Sequence, residues 1–380
     1  MEGERTMIIR NVKVFQKDGA FKAGEIHING SRIADMSQDS GSEEILDGKG
    51  AYAIPGLTDI HFHGCVGHDF SDGTPEAIKA LAEYELSQGI TQICPATMTL
   101  AEETLMQISR AAANYDNASG ARLVGINMEG PFVSEKKKGA QNGLYIRKPD
   151  ADMFRRLQKE ADGLYKLIAL APEEEGAMEF IDELKEEAVI SLAHTTADYE
   201  TSMEAFRRGA SHVTHLFNAM PPFSHREPGV TGAAFDTLDC DVELITDGIH
   251  ICPTMVRAVF RLFGDDRVIL ISDSMMATGL TDGDYSLGGQ PVKVKGNLAT
   301  LADGTIAGSA TNLMDCLRTA VKKMGIPLES AVKCAAVNSA RSIGIDDRYG
   351  SLEPGKIANI VLLDEELGLQ AVIYDGKVQK

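Results

Sequence analysis

The sequence predicts an α/β protein, a (β/α)8 TIM-like barrel with a small β-sandwich domain formed from both termini. Three observations carry this. Eight apolar, β-branched runs alternate with amphipathic, helix-forming stretches through the middle of the chain; alternation of this kind builds parallel βα units, and eight of them suit a closed barrel. The two ends share another texture, short strands between Gly, Asn and Asp turns. A doubly wound open sheet is the competing architecture, but its usual G-x-G-x-x-G is missing after the first run. The expected boundaries are 1–53 with 349–380 for the small domain and 54–348 for the barrel.

Residues 7–53 read as strands in "MIIRNVKVF", "GEIHING", "RIADMS" and "AYAIPG", and residues 357–380 continue in the same manner, with a hairpin-like Asp-Gly at 375–376. Neither piece buries enough alone, so the two are expected to pair. The eight central runs are "LTDIHF", "TQICPAT", "RLVGINME", "YKLIALAP", "AVISLAH", "SHVTH", "DVELITD" and "RVILISD". Helix signals lie between them. "TPEAIKALAEYELSQG" offers Thr74 as a cap, Pro75 in the first turn and Gly89 as the stop. "DYETSMEAFRRG" opens on Asp198 and closes on Gly209. After the eighth run, residues 285–309 break the pattern and read as a hairpin insertion.

Composition narrows the function classes. The 380 residues are 43% hydrophobic, enough for a large core, and carry a formal net charge of −19. That charge argues against nucleic acid and anionic membranes as partners. A local arginine can still bind a small anion, because screening confines the acidic surface's reach to ~10 Å at 0.1 M salt. No apolar run reaches the ~18 residues that span a bilayer, and "MEGERTMIIRNVKVF" has no apolar signal region. The six cysteines are scattered, with no C-x-x-C pair. A cytoplasmic location is expected.

The chemistry gathers where the apolar runs stop. "PGLTDIHFHGC" ends its run in His61 and His63; the third run ends in Glu129, the fifth in His194, the sixth in His215 and the eighth in Asp273. In a barrel enzyme the active site lies at these C-terminal strand ends. The period-two alternation of a strand would put His61 and His63 on one side. Imidazoles converging with a carboxylate suit Zn²⁺ or Fe²⁺. Five potential ligands exceed the three of a usual catalytic zinc and leave room for one or two divalent ions, bridged by Glu129. A lone histidine at a strand end is more often structural, and His27, His68, His212 and His225 are read so.

Together "PGLTDIHFHG", "NMEGPF", "LAHTTADY", "HLFNAMPPFSHREPG", "TDGIH", "ISDSMMATG" and "LADGTIAGS" resemble the N-acetylglucosamine-6-phosphate deacetylase family of the amidohydrolase superfamily. The resemblance implies hydrolysis of the N-acetyl group of a phosphorylated amino sugar. It implies a metal held by Glu129, His194 and His215, with His61 and His63 at the superfamily's first metal position, and Asp273 as the catalytic aspartate, general base and then acid. It places the sugar-phosphate contacts on Ala140, Asn218, Ala219, Arg226, Asp247, His250 and the segment Ile306, Ala307, Gly308, Ser309. Some members carry a histidine after "KKGA" that polarises the amide carbonyl; here Gln141 stands there. The resemblance also implies a homodimer in which a neighbouring subunit completes the phosphate site. The nearest rival, a cyclic-amide hydrolase with a carboxylated lysine ending the fourth strand, is disfavoured because Lys166 stands at that strand's start. A non-catalytic scaffold on the same fold would be expected to have lost a ligand, and none is missing.

Overall fold

The computed structural model describes residues 6–35 and 43–379. Its centre is eight parallel strand segments in chain order. Leu57–Asp59, Ile90–Ile93 and Arg122–Leu123 form a three-stranded sheet; Ile126–Met128, Tyr165–Leu170, Val189–Leu192, His212–Val213, Asp241–Ile245 and Val268–Ile271 form a six-stranded one. The third segment is broken at Val124 and Gly125 and so belongs to both sheets; Val124 N–H donates to Ile93 O at 2.9 Å and Asn127 N–H to Pro95 O at 2.9 Å. At the other margin Asp273 N–H donates to His61 O at 2.9 Å, which ties the eighth strand's end to the first.

A helix follows each strand, from Pro75–Ser87 after the first to Leu313–Lys322 after the eighth. The local signals act as expected. The Thr74 side chain accepts from Ala77 N–H, Pro75 opens the helix, and Gly89 leaves at φ 89°. The Asp198 side chain caps Tyr199–Arg208, and Gly209 ends it. The strands are buried on both faces, as a parallel sheet under helices requires. No helix among the described residues is long and apolar enough to cross a membrane.

Both chain ends enter one eight-stranded mixed sheet. Thr6–Phe15 pairs with Phe21–Asn29, Glu43–Asp47 and Tyr52–Pro55; Tyr52–Pro55 then pairs antiparallel with Ile360–Leu363, whose outer neighbour is Leu369–Tyr374. The turn at Asp375 and Gly376 has φ of 48° and 74°, the doubly left-handed turn that Asp-Gly favours. Alternate side chains such as Ile9, Ile28, Ala53, Ile360 and Ile373 form a core of their own, while Ile54, Val361 and Val372 join the central core. The expected strand "RIADMS" is seen as Arg32–Ala34; its last two residues lie outside the described residues.

Two expectations need correction. The insertion is larger than a hairpin: Gly283–Leu287, Gln290–Lys295, Leu298–Thr300 and Ile306–Ser309 form a four-stranded antiparallel sheet, because "KGN" and "ADGT" turn the chain twice more. The first strand stops at Asp59, so strand alternation is not what aligns His61 and His63. Hydrogen bonds to the far margin hold them instead: Asp273 N–H donates to His61 O, and His63 N–H donates to Ser274 O at 2.7 Å.

Candidate metal centre

His61, His63, Glu129, His194, His215 and Asp273 are brought together from five strand ends, all of them buried. Two ligand groups form. Glu129 Oε1 lies 3.0 Å from His194 Nε2 and 3.0 Å from His215 Nε2. His63 Nε2 lies 3.3 Å from Asp273 Oδ1, and His61 Nε2 3.9 Å from the same oxygen. Glu129 faces both groups, with Oε2 3.3 Å from His63 Nε2 and Oε1 3.5 Å from His61 Nε2.

The donor chemistry fits a divalent ion. The imidazole nitrogens His194 Nε2 and His215 Nε2 are 3.2 Å apart and converge on the same carboxylate oxygen. His194 Nδ1–H donates to Lys137 O at 2.9 Å, which leaves an Nε2 lone pair aimed inward. His61 Nε2 is buried without a hydrogen-bond partner, facing Glu129. Such orphaned lone pairs are costly in a core unless something electropositive accepts them.

The buried carboxylates set the charge of the site: they draw protons onto the imidazoles, which a bound cation would displace. Burial disfavours a charged His61, but the carboxylates of Glu243 and Glu129 outweigh it and hold its pKa well above the usual value. Burial likewise opposes a charged His63, yet hydrogen bonds to Asp273 and Glu129 raise its pKa to about 10. Burial would raise the two acids; the surrounding imidazoles prevail and hold Glu129 well below, and Asp273 below, the ordinary carboxylate range. Both acids are therefore anions at neutral pH, matched to a cation.

Three of these residues have left-handed backbones, unusual without glycine: His194 at φ 43°, His215 at φ 30° and Asp273 at φ 50°. Each turns the chain sharply off its strand and swings the side chain over the core. Strained conformations of this sort cluster at functional sites.

A cavity of about 340 Å³ opens over the centre. Of the sequence-predicted contacts, Ala140, Gln141, Asn218, Ala219, His250, Ile306 and Gly308 line it. Asp247 stands behind His250, accepting from His250 Nδ1–H at 2.8 Å. Burial opposes a charged His250, but this bond raises its pKa. Gln141 is occupied: its Nε2 donates to Glu129 Oε2 at 2.7 Å, and its Oε1 accepts from Thr99 N–H at 2.7 Å. With Asp247, three further residues lie off the cavity wall. Ala307 packs in the core of the inserted sheet, Ser309 is buried with Oγ donating to Ser272 O at 2.7 Å, and Arg226 is exposed in a neighbouring cleft between Pro221 and Pro228.

Sequence reasoning missed Lys136 and Lys137, which line the cavity mouth. The signal was present in "EKKKGA", a run of like charge in an acidic chain directly after the Glu-Gly-Pro-Phe element. It also missed Glu243, which lies under His61 at 2.8 Å.

The amidohydrolase family model matches residues 52–379. The N-acetylglucosamine-6-phosphate deacetylase of Bacillus subtilis (strain 168) is 37% identical over 98% of this chain and 97% of its own length. The chain belongs to the amidohydrolase family. Among solved amidohydrolases, the N-acetyl-D-glucosamine-6-phosphate deacetylase of Mycobacterium smegmatis, a mutant in complex with N-acetyl-D-glucosamine-6-phosphate, aligns with a TM-score of 0.90 at 30% identity, covering 99% of both chains. The N-acetylgalactosamine-6-phosphate deacetylase of Escherichia coli O157:H7 is 32% identical over 85% of this chain and 86% of its own. This amidohydrolase is thus an enzyme, a hydrolase of the deacetylase branch.

Proposed function

We propose that the chain hydrolyses the N-acetyl group of N-acetylglucosamine 6-phosphate, giving glucosamine 6-phosphate and acetate. The observation that carries this is the convergence of Glu129, His194, His215 and Asp273 at the floor of one cavity whose wall also holds His250. Glu129, His194 and His215 would hold one divalent ion, Zn²⁺ or Fe²⁺ by donor type. Bound there, such an ion supplies a Lewis acid for the amide carbonyl and makes water a better nucleophile.

The side chains do the rest. Asp273 is ionised, so it can accept a proton from the water attacking the acetyl carbon. It then delivers that proton to the amide nitrogen as the C–N bond breaks, which releases the amine and acetate without a covalent enzyme intermediate. His250, oriented by Asp247, and Lys136 at the mouth would receive the phosphate, a remote anchor that positions the amide. Arg226 would join them from a second copy of the chain in a homodimer; its exposure outside the single chain's own cavity supports this. Ala307 and Ser309 would act by shaping the strand that presents Ile306 and Gly308.

Several structural readings belong to the same proposal. The eight parallel segments close into a (β/α)8 TIM-like barrel, residues 54–348, supported by the bond from Asp273 N–H to His61 O. The mixed sheet folds over its own core into a β-sandwich of residues 1–53 and 349–380, supported by its separate apolar cluster. The location is cytoplasmic, supported by cysteines that are free among the described residues.

His61 and His63, beside Glu129, would hold a second ion. Elemental analysis after saturation with zinc, or with ferrous iron under anaerobic conditions, tests this. The His61→Asn, His63→Asn double variant should hold one ion fewer per chain than wild type; equal content would remove the second position. For the reaction, purified protein with metal should release acetate from N-acetylglucosamine 6-phosphate faster than from its galactosamine epimer. Absence of acetate from both would overturn the assignment, and preference for the epimer would redirect it.

A further inference from the structure

Glu243 is a charged residue in the middle of Asp241–Ile245, a buried apolar strand, and its side chain is fully enclosed. It touches neither the cavity nor any step of the reaction above. Its Oε2 accepts twice, from His61 Nδ1–H at 2.8 Å and from His215 N–H at 3.1 Å. Its Oε1 has no hydrogen bond; the nearest cation-forming atom is His212 Nε2 at 3.9 Å, itself without a partner. Burying a carboxylate this incompletely satisfied is expensive, and an apolar residue would fill the strand more cheaply. The expense points to a task.

We propose that Glu243 is the positioning residue of the metal centre. It holds the His61 ring by Nδ1, so that Nε2 presents its lone pair towards Glu129 and Asp273. Through the same oxygen it fixes the left-handed turn that carries His215. One carboxylate thereby sets the orientation of a ligand in each of the two groups, and the groups keep a fixed separation. Carboxylates that accept from the far nitrogen of a ligating histidine act in this way, and they make the near nitrogen a stronger donor. The inference rests on the reading that this centre holds metal.

Zinc affinity, measured by competition with a chromophoric chelator, tests it in a double-mutant cycle of Glu243→Gln and His61→Asn. Glu243→Gln should weaken the more loosely held ion by ~10–100-fold. In the His61→Asn background the same change should cost a smaller factor than in wild type, since one of the two groups Glu243 positions is gone. Unchanged affinity in Glu243→Gln, or an equal loss in both backgrounds, would overturn the proposal. Should the glutamine variant fail to fold by circular dichroism, Glu243→Asp keeps the charge but not the reach to both donors, and the same cycle is run with it. A wild-type titration that ends at one ion ends the two-ion reading only. The cycle is then read on that ion, where non-additivity keeps the proposal and additivity overturns it.

Discussion

At the scale of single residues, the site is a problem of charge placement. Three carboxylates, Glu129, Asp273 and Glu243, are buried among five imidazoles, and each acid is held below its ordinary pKa although burial pushes the other way. Asp273 is the acid that faces the reacting bond. Asp273→Asn is expected to keep fold and metal content while losing ~10²–10⁴-fold in kcat, because an amide cannot accept the water's proton. Steady-state kinetics beside elemental analysis would check this; near-normal kcat would remove Asp273 from proton transfer. The identity of these residues was legible in the sequence, since each ends an apolar run. Glu243 was overlooked because it interrupts such a run. Its signal was there: an acid in mid-strand of a sheet buried on both faces has nowhere to go but inward.

At the scale of elements, local signals were legible and meeting points were not. Thr74, Pro75, Asp198 and Gly209 mark helix ends through bonds within a few residues, so a linear reading finds them. The joining of the inserted sheet to the Asp273 turn is not local. Ser309 N–H donates to Asp273 O at 2.7 Å and Met275 N–H to Ser309 O at 2.8 Å. Gly308 makes this possible: it sits at φ 67°, and a Cβ there would lie 3.0 Å from Asp273 O. Gly308→Ala should therefore lower kcat by about 10²-fold, the effect of displacing a catalytic group by ~1 Å, with a much smaller loss of thermal stability. Equal kcat would show that the turn is held without the insertion. The helix Pro75–Ser87 carries a different liability. Glu85 is fully buried, neither of its oxygens has a partner, and burial raises its pKa well above 4.5. The folded chain keeps this proton while the unfolded chain releases it, so stability falls as pH rises from the unfolded value through the folded one. Glu85→Met should stabilise the fold by about 1 kcal/mol, and by more at pH 8 than at pH 5. Thermal denaturation at the two pH values would test it, and a pH-independent difference would refute the titration.

At the scale of the whole molecule, Arg226 decides whether one chain is enough. It stands exposed beside the cavity's neighbouring cleft, on a proline-rich loop. In the homodimer proposed here Arg226→Ala should raise KM for the phosphorylated sugar by roughly tenfold or more with little change in kcat, the loss of one charge-assisted contact. Mixing Arg226→Ala with Asp273→Asn subunits should recover part of the activity, because hybrid dimers pair one intact Asp273 with one intact Arg226. Light scattering that finds a fully active monomer would dismiss the arrangement. The pairing of the chain's two ends was legible from texture alone, but its order was not, and that order has a consequence for how the protein is made. Among the described residues, Tyr52–Pro55 finds its antiparallel partner only in Ile360–Leu363. The first strands leave the ribosome with an open edge, and at ~5–20 residues per second the strand that covers it arrives roughly 15–60 seconds later. Every βα unit of the central body can assemble in that interval. The terminal sheet closes last, so synthesis of Ile360–Leu363, rather than folding of the catalytic core, sets the moment at which its exposed edge disappears.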